Sequence, residues 1–118
     1  MKNIRVLFII FIAGFLTACS GVKTVPIKVQ SSPLGSYVTY QMQVPTEGSN
    51  DWLFLGKTPI DIKRRVSKKQ YKKASLIRLR VMKEGYSEQI RDWTREEIEE
   101  DIDSKGSVFW NPKLVPSQ

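Results

Sequence analysis

The stretch YVTYQMQV, residues 37–44, alternates between two kinds of side chain, with Val38, Tyr40, Met42 and Val44 at every second position. Successive side chains of a β-strand point to opposite faces of the sheet, so a period of two is the signature of a half-buried strand. The stretch therefore predicts a strand whose even-numbered positions lie in a core. This strand decides the class of the fold.

The same period returns on both sides of this strand. Apolar residues alternate with polar ones over residues 25–29 and again over 76–82, and shorter apolar pieces lie at 52–55 and 60–62. Proline, glycine and serine separate these pieces, as is usual for turns between strands. The pattern predicts an all-β domain, a small β-sandwich built from short strands.

One short helix is predicted near the C-terminal end of the chain. Residues 94–97, TREE, have the form of a capping box, in which a threonine and a glutamate side chain each accept a hydrogen bond from the other's backbone N–H. Ile98 and Ile102 then lie four residues apart on one helical face, and Gly106 is suited to end the helix. We expect a helix of about two to three turns that needs packing for its stability.

The first residues of the chain carry the pattern of an export signal. Lys2 and Arg5 precede an apolar run over residues 6–16, and LTAC at 16–19 closes that run. The run is too short to cross a bilayer core, for which a helix needs about 20 apolar residues. A basic start, an apolar middle and a small-residue cleavage site are typical of a secretory leader.

The tetrapeptide LTAC resembles the lipobox of bacterial lipoproteins, and Cys19 is the only cysteine in the chain. The resemblance implies cleavage before Cys19, a diacylglyceryl group on its thiol and an acyl chain such as palmitate on the new N-terminus. More than one such chain holds a protein stably to a membrane. Ser20 is similar to the residue found in lipoproteins sent to the outer membrane. We expect a leader at 1–18, a tether at 19–24, and a lipid-anchored protein of the cell outer membrane that faces the periplasm.

Three segments of the remaining chain resemble the PEGA domain, a small all-β module of bacterial envelope proteins. They are VQSSPLGSYV at 29–38, LGKTPI at 55–60 and LRVMKEGY at 79–86. Their prolines and glycines suit turns between strands. The resemblance implies a transthyretin-like sandwich over residues 25–92, followed by a C-terminal helix and closing segment at 93–118. It implies no catalytic residue.

The composition argues against most enzyme classes. The 118 residues contain no histidine, so the commonest general base and every imidazole-dependent triad are absent. Six of the twelve carboxylates are bunched at residues 96–103, in a spacing that matches no calcium loop and suits a helix N-terminus instead. We expect a protein without enzymatic activity, cofactor or metal. A hydrolase that uses two carboxylates facing one cleft is the class left open.

A basic segment follows the second PEGA-like motif, where the family has a compact turn. Residues 57–83 hold eleven lysines and arginines against one carboxylate, Asp61. Such a field attracts anions, and the candidate contact residues are Lys63, Arg64, Arg65, Lys68, Lys69, Lys72 and Lys73. Residues 64–74 have no apolar period and allow a helical turn from Ser67 or a projecting basic loop, of which we expect the loop.

The expected partners of these cations are anionic lipids, glycans or envelope proteins. Nucleic acid is not expected, because Tyr71 is the only aromatic residue among the cations, and a single-strand binder needs a platform of rings. The other interpretation of the segment is a solvated surface that keeps the protein soluble.

The aromatic residues define an alternative function. Most lie in apolar segments and are expected in the core, whereas exposed tryptophans would stack on sugar rings; the set is Trp52, Phe54, Tyr86, Trp93, Phe109 and Trp110. The leading hypothesis is a lipid-anchored binding or scaffolding module of the cell envelope. The alternative is a module that recognises an envelope glycan, either peptidoglycan or lipopolysaccharide. Exposure of the tryptophans would favour the alternative.

Overall fold

The computed structural model describes residues 21–45 and 51–117. The predicted leader, the lipid site at Cys19 and the residue after it lie outside this described part. Within it the chain forms seven strands and two helices, in the order β1 (Val22–Val29), β2 (Tyr37–Gln43), β3 (Leu53–Lys57), β4 (Ile60–Ser67), α1 (Lys68–Lys73), β5 (Leu76–Met82), β6 (Gln89–Thr94), α2 (Arg95–Lys105) and β7 (Val108–Trp110).

Two sheets make up the sandwich. One has the strand order β4-β1-β7 and the other the order β3-β2-β5-β6. Neighbouring strands are antiparallel, except that β7 runs parallel to β1. The predicted class, an all-β sandwich with a short C-terminal helix, is confirmed.

The alternating segments supply the core between the sheets. The buried members of these segments are Val25, Ile27, Val29, Val38, Tyr40, Val44, Ile77, Leu79 and Val81. Trp93 and Trp110 join them as a pair of rings in edge contact, with centroids 5.8 Å apart. Burying a large aliphatic side chain stabilises a fold by about 1.5–3 kcal/mol relative to leaving it exposed, so the period-two pattern is the main source of stability.

The C-terminal part of the chain closes this core. The Thr94 side chain accepts a hydrogen bond from the Glu97 backbone N–H, and the Glu97 carboxylate accepts one from the Thr94 N–H, so the predicted capping box is present. Gly106, with a φ of 80°, ends the helix. Helix α2 buries Ile98 and packs against β6 of one sheet and β7 of the other. Residues 93–114 therefore contribute to the same core as the strands before them.

The first two PEGA-like motifs meet at one end of the sandwich. The hydroxyls of Ser31 and Thr58 lie 2.6 Å apart, and the Thr58 hydroxyl accepts a hydrogen bond from the Ser36 backbone N–H at 3.0 Å. The Ser31 hydroxyl lies 3.1 Å from that of Ser36, and all three residues are buried. We call these three residues the hydroxyl cluster; it joins the turn before β2 to the turn between β3 and β4.

Candidate contact surface at the basic end

The basic segment is regular structure, so the prediction of a projecting loop is wrong. Strand β4 continues through Lys63 and Arg65 to Ser67, paired with β1 along its length. The Ser67 side chain then accepts a hydrogen bond from the Gln70 N–H at 3.0 Å and caps α1, as the helical alternative required. Backbone pairing with β1 holds this polar segment in a strand. Because backbone pairing does not require apolar side chains, it produces no apolar period in the sequence.

Helix α1 presents its lysines as a group. Successive residues of a helix are rotated by about 100°, which spreads Lys68, Lys69, Lys72 and Lys73 over an arc of about 140° on the side away from Tyr71. All four lysines are exposed, whereas Tyr71 is buried. Among the described residues, none of the four forms a salt bridge. Their charges are therefore available to an external anion.

The three cations of β4 divide between its two faces. Lys63 and Arg65 are exposed on the outer face, where they extend the positive surface of α1. Arg64 is half-buried on the inner face, and its guanidinium carbon lies 5.6 Å from the centre of the Tyr40 ring. Burial raises the pKa of the Tyr40 hydroxyl, and the charge of Arg64 opposes that rise. Arg64 thus faces Tyr40 on the inner face and is less exposed than Lys63 and Arg65.

A polar contact fixes α1 against the rest of the sandwich. The Tyr71 hydroxyl donates a hydrogen bond to the Glu99 carboxylate at 2.6 Å, and the Lys23 ammonium lies 2.8 Å from the same oxygen. The hydrogen bond from Lys23 is the main cause of a lowered Glu99 pKa, and burial followed by the Glu99 contact raises the pKa of Tyr71. Arg95 donates to the Lys72 carbonyl oxygen at 2.7 Å. Because α1 is held from β1 and from α2, its lysines have a defined position.

The chain enters the sandwich beside α1. The Lys68 backbone N–H donates to the Gly21 carbonyl oxygen at 3.0 Å, and Val22 pairs with Ser67 in the sheet. The first described residues and the basic helix therefore lie at the same end of the molecule. We call this end, with its exposed cations on α1 and on β4, the basic end.

Three of the acidic residues of α2, Glu97, Glu99 and Asp101, have side-chain partners within the fold. The Asp101 carboxylate accepts from the Trp93 indole N–H at 3.3 Å and from the Phe109 backbone N–H at 3.4 Å, and it pairs with Lys105 at 3.4 Å. Glu97 belongs to the capping box. In the described ranges, no three acidic side chains lie together in a way that would hold a metal ion.

The predicted aromatic set divides into buried and exposed members. Trp93 is 1% exposed and Trp110 is 8% exposed, so both belong to the core. Trp52 is half-buried, and Phe54, on the neighbouring part of β3, is 62% exposed. Tyr37, which the sequence did not single out, is exposed beside Phe54, with ring centroids 5.9 Å apart.

The remaining residues of the predicted aromatic set, Tyr86 and Phe109, are half-buried.

A crevice between α1 and α2, bordered by Tyr71, Ile98 and Arg95, has room for about one water molecule. Neither helix in the described part of the chain is long and apolar enough to span a membrane.

Comparison with known protein families, with curated proteins and with solved structures finds no match for this chain. The resemblances to the lipobox and to the PEGA domain therefore rest on the quoted motifs alone. The fold and the basic end rest on the structure.

Proposed function

We propose that this protein is a lipid-anchored lipoprotein of the bacterial cell envelope, without enzymatic activity. A lipid on Cys19 holds it in the outer membrane, facing the periplasm, and its PEGA-like sandwich serves as a binding or scaffolding module. The motif LTAC and the order of the three turn motifs support this proposal.

One structural observation carries the proposal further, the hydrogen bond between Lys68 and Gly21. Cys19 precedes Gly21 by two positions, and consecutive Cα atoms are 3.8 Å apart, so their Cα atoms are separated by at most about 8 Å. A lipid on Cys19 would place the basic end next to the membrane surface. The exposed lysines of α1 would then face the head groups.

The charge of the basic end complements that setting. Each lysine or arginine close to an anionic membrane surface adds on the order of 1 kcal/mol to binding, and this contribution decays within the Debye length of about 8–10 Å. Four lysines on α1, with Lys63 and Arg65 beside them, are enough to orient a domain that a lipid already tethers. We therefore propose that the sandwich stands on its basic end.

The test is a charge reversal at the basic end. Lys69→Glu with Lys72→Glu should lower co-sedimentation with anionic vesicles at least tenfold at low salt, because about four units of charge difference are felt at the surface. The same variant should bind neutral vesicles as the wild type does. High salt should reduce wild-type binding toward that of the variant.

A matched control keeps the total charge equal. Lys83→Glu with Lys113→Glu makes the same charge change at the opposite end of the sandwich. Lys83 directly follows β5 there, and Lys113 pairs with Ser32. This control should retain wild-type binding if α1 faces the membrane. Equal loss in both double variants would mean that net charge alone governs binding, and it would contradict the proposed orientation.

A further inference from the structure

The outer face of the sheet β3-β2-β5-β6 carries exposed aromatic side chains at positions that lie next to one another on neighbouring strands. Tyr37 pairs with Lys57 on β3, and Thr39 pairs with Phe54 on β3 and Arg80 on β5. Tyr37 is 45% exposed, and Phe54 is the most exposed of the large apolar side chains in the described residues. Tyr37 and Thr39 alternate along β2 with Val38 and Tyr40, which belong to the core, so their side chains lie on the opposite face of the sheet.

A break in the strand register brings two of these residues to one face. Lys57 and Phe54 are three positions apart and would point to opposite faces of a regular strand. The register between β2 and β3 shifts between Val38 and Thr39, so that β3 has one more residue than β2 there. Gly56, at a φ of 147°, lies in that irregular part and permits it. The shift turns Lys57 to the side of Phe54.

Cations lie against the rings on this face. The Lys57 ammonium is 4.9 Å from the centre of the Tyr37 ring, and the Arg80 guanidinium carbon is 4.2 Å from that of Trp52. Arg80 also donates to the Thr39 hydroxyl at 3.3 Å. Within the described residues, neither cation forms a salt bridge. We call Tyr37, Trp52, Phe54, Lys57 and Arg80 the ring platform.

One acidic group on this face is already neutralised. Asp92 of β6 accepts two hydrogen bonds from the Arg78 guanidinium, at 2.7 and 3.1 Å. Among the described residues, the cations of the ring platform have no acidic partner, and they lie beside the exposed rings of Tyr37 and Phe54. The complement of the ring platform is a ligand with negative charge and a flat apolar side.

An apolar protein partner fits this face poorly. Burying Lys57 and Arg80 under such a partner would remove two charges from water without supplying a counter-charge, which is costly. A carboxylate-bearing sugar meets both requirements. The C–H groups on one side of a pyranose ring carry partial positive charge, which suits the negative face of an aromatic ring, and its carboxylate suits the two cations.

We propose that the ring platform is a binding site for an acidic polysaccharide whose rings carry carboxylates. Phe54 and Tyr37 stack on the sugar rings, and Lys57 and Arg80 bind the carboxylates. The site lies on a different surface from the basic end and does not depend on a lipid at Cys19.

The test uses oligogalacturonate of six rings as the probe, with a neutral galactose oligomer of equal length as its match. Binding to the purified full-length chain is measured by calorimetry, and Trp52 provides a fluorescence signal. Phe54→Ala should weaken binding of the acidic oligomer about tenfold, by analogy with the loss of a stacking ring in other aromatic platforms. Phe54→Tyr keeps the ring and should retain most of the affinity. Lys57→Gln should weaken binding severalfold and reduce its salt dependence.

Controls separate this site from general charge and from loss of folding. Val22→Ala removes another exposed apolar side chain, at the basic end, and should change nothing. Thermal unfolding of each variant shows whether the sandwich is intact. Equal binding of poly-glutamate, equal binding of the neutral oligomer, or binding that Phe54→Ala leaves unchanged would each overturn the proposal. Vesicle binding that Phe54→Ala abolishes would assign the face to the membrane instead and would overturn it as well.

Discussion

Replacing Thr58 with valine would test whether the PEGA-like motifs act as a structural joint. Valine has the shape of threonine, so the substitution removes one hydroxyl and leaves the packing unchanged. Thr58 is 4% exposed, and its hydroxyl holds Ser36 and Ser31 together. The variant would leave the Ser36 N–H buried without that partner. We expect a folded but clearly less stable protein.

The size of the effect follows from the hydrogen bonds lost. A typical intramolecular hydrogen bond contributes about 0.5–1.5 kcal/mol, and a buried donor left without a partner costs about 1–3 kcal/mol. The Ser31 hydroxyl keeps its contacts with the Pro33 carbonyl oxygen and with Ser36, so it is not orphaned. The loss is therefore dominated by the Ser36 N–H. We expect Thr58→Val to lower the free energy of unfolding by about 2–3 kcal/mol.

Urea denaturation measures this loss as a shift of the midpoint at constant slope. Thr24→Val is the matched control, because Thr24 is exposed on β1 and surface substitutions usually change stability by less than about 0.5 kcal/mol. A Thr58→Val protein within about 0.5 kcal/mol of the wild type would refute the reasoning. It would mean that the hydroxyl cluster does not hold the two turns together.

Two further predictions concern the lipid anchor at Cys19 and the contact made by Glu99. Mass spectrometry of the protein isolated from membranes should show a chain that begins at Cys19 with added acyl mass; an intact N-terminus on a water-soluble product would contradict the anchor. The lowered pKa of Glu99 means that its contact stabilises the fold above the unfolded pKa and is lost as the pH falls through the lower folded pKa. Urea midpoints should therefore fall at acid pH in the wild type and fall less in Glu99→Gln, with Glu100→Gln, whose carboxylate is exposed, behaving as the wild type.

The strands of the core could be predicted because their signals are local. The alternation over residues 25–29, 37–44 and 76–82 specifies which side chains face inward, and those side chains are buried. The capping box at 94–97 is equally local, since four neighbouring residues contain the whole signal. Each of these features is complete within one short window of sequence.

The basic segment was mispredicted because its structure comes from distant residues. In β4 the inward positions include Arg64 as well as the apolar residues, so the alternation is interrupted. Its strand conformation depends on pairing with β1, about forty positions earlier in the chain, as in the pair Val22 and Ser67. Charged side chains on such an edge strand also protect its open edge from pairing with other chains.

The ring platform was missed for a different reason, which is the register shift in β3. Regular alternation would place Phe54 and Lys57 on opposite faces of β3. The only sign of an irregularity in the sequence of this strand is Gly56, because a glycine within a strand often marks a bulge. The period over residues 37–44 predicts an outward position for Tyr37, but its aromatic neighbour there comes from another strand. Sequence reasoning predicts the face of one strand far better than the partners across strands.

The two proposed surfaces lie far enough apart to be tested separately. Gln43 ends β2 beside α1, since the Ser75 N–H just after α1 donates to the Gln43 carbonyl oxygen at 2.8 Å. Tyr37 begins the same strand, and six steps of about 3.3 Å place it about 20 Å from Gln43. Phe54 and Arg80 lie opposite Thr39, four steps or about 13 Å from Gln43. These separations exceed the Debye length of about 8 Å at physiological salt. Charge reversal on α1 should therefore leave saccharide binding at the ring platform unchanged, and Phe54→Ala should leave vesicle binding by the basic end unchanged. A domain standing on its basic end would hold Tyr37 and Lys57 away from the head groups, where a polysaccharide has access to them.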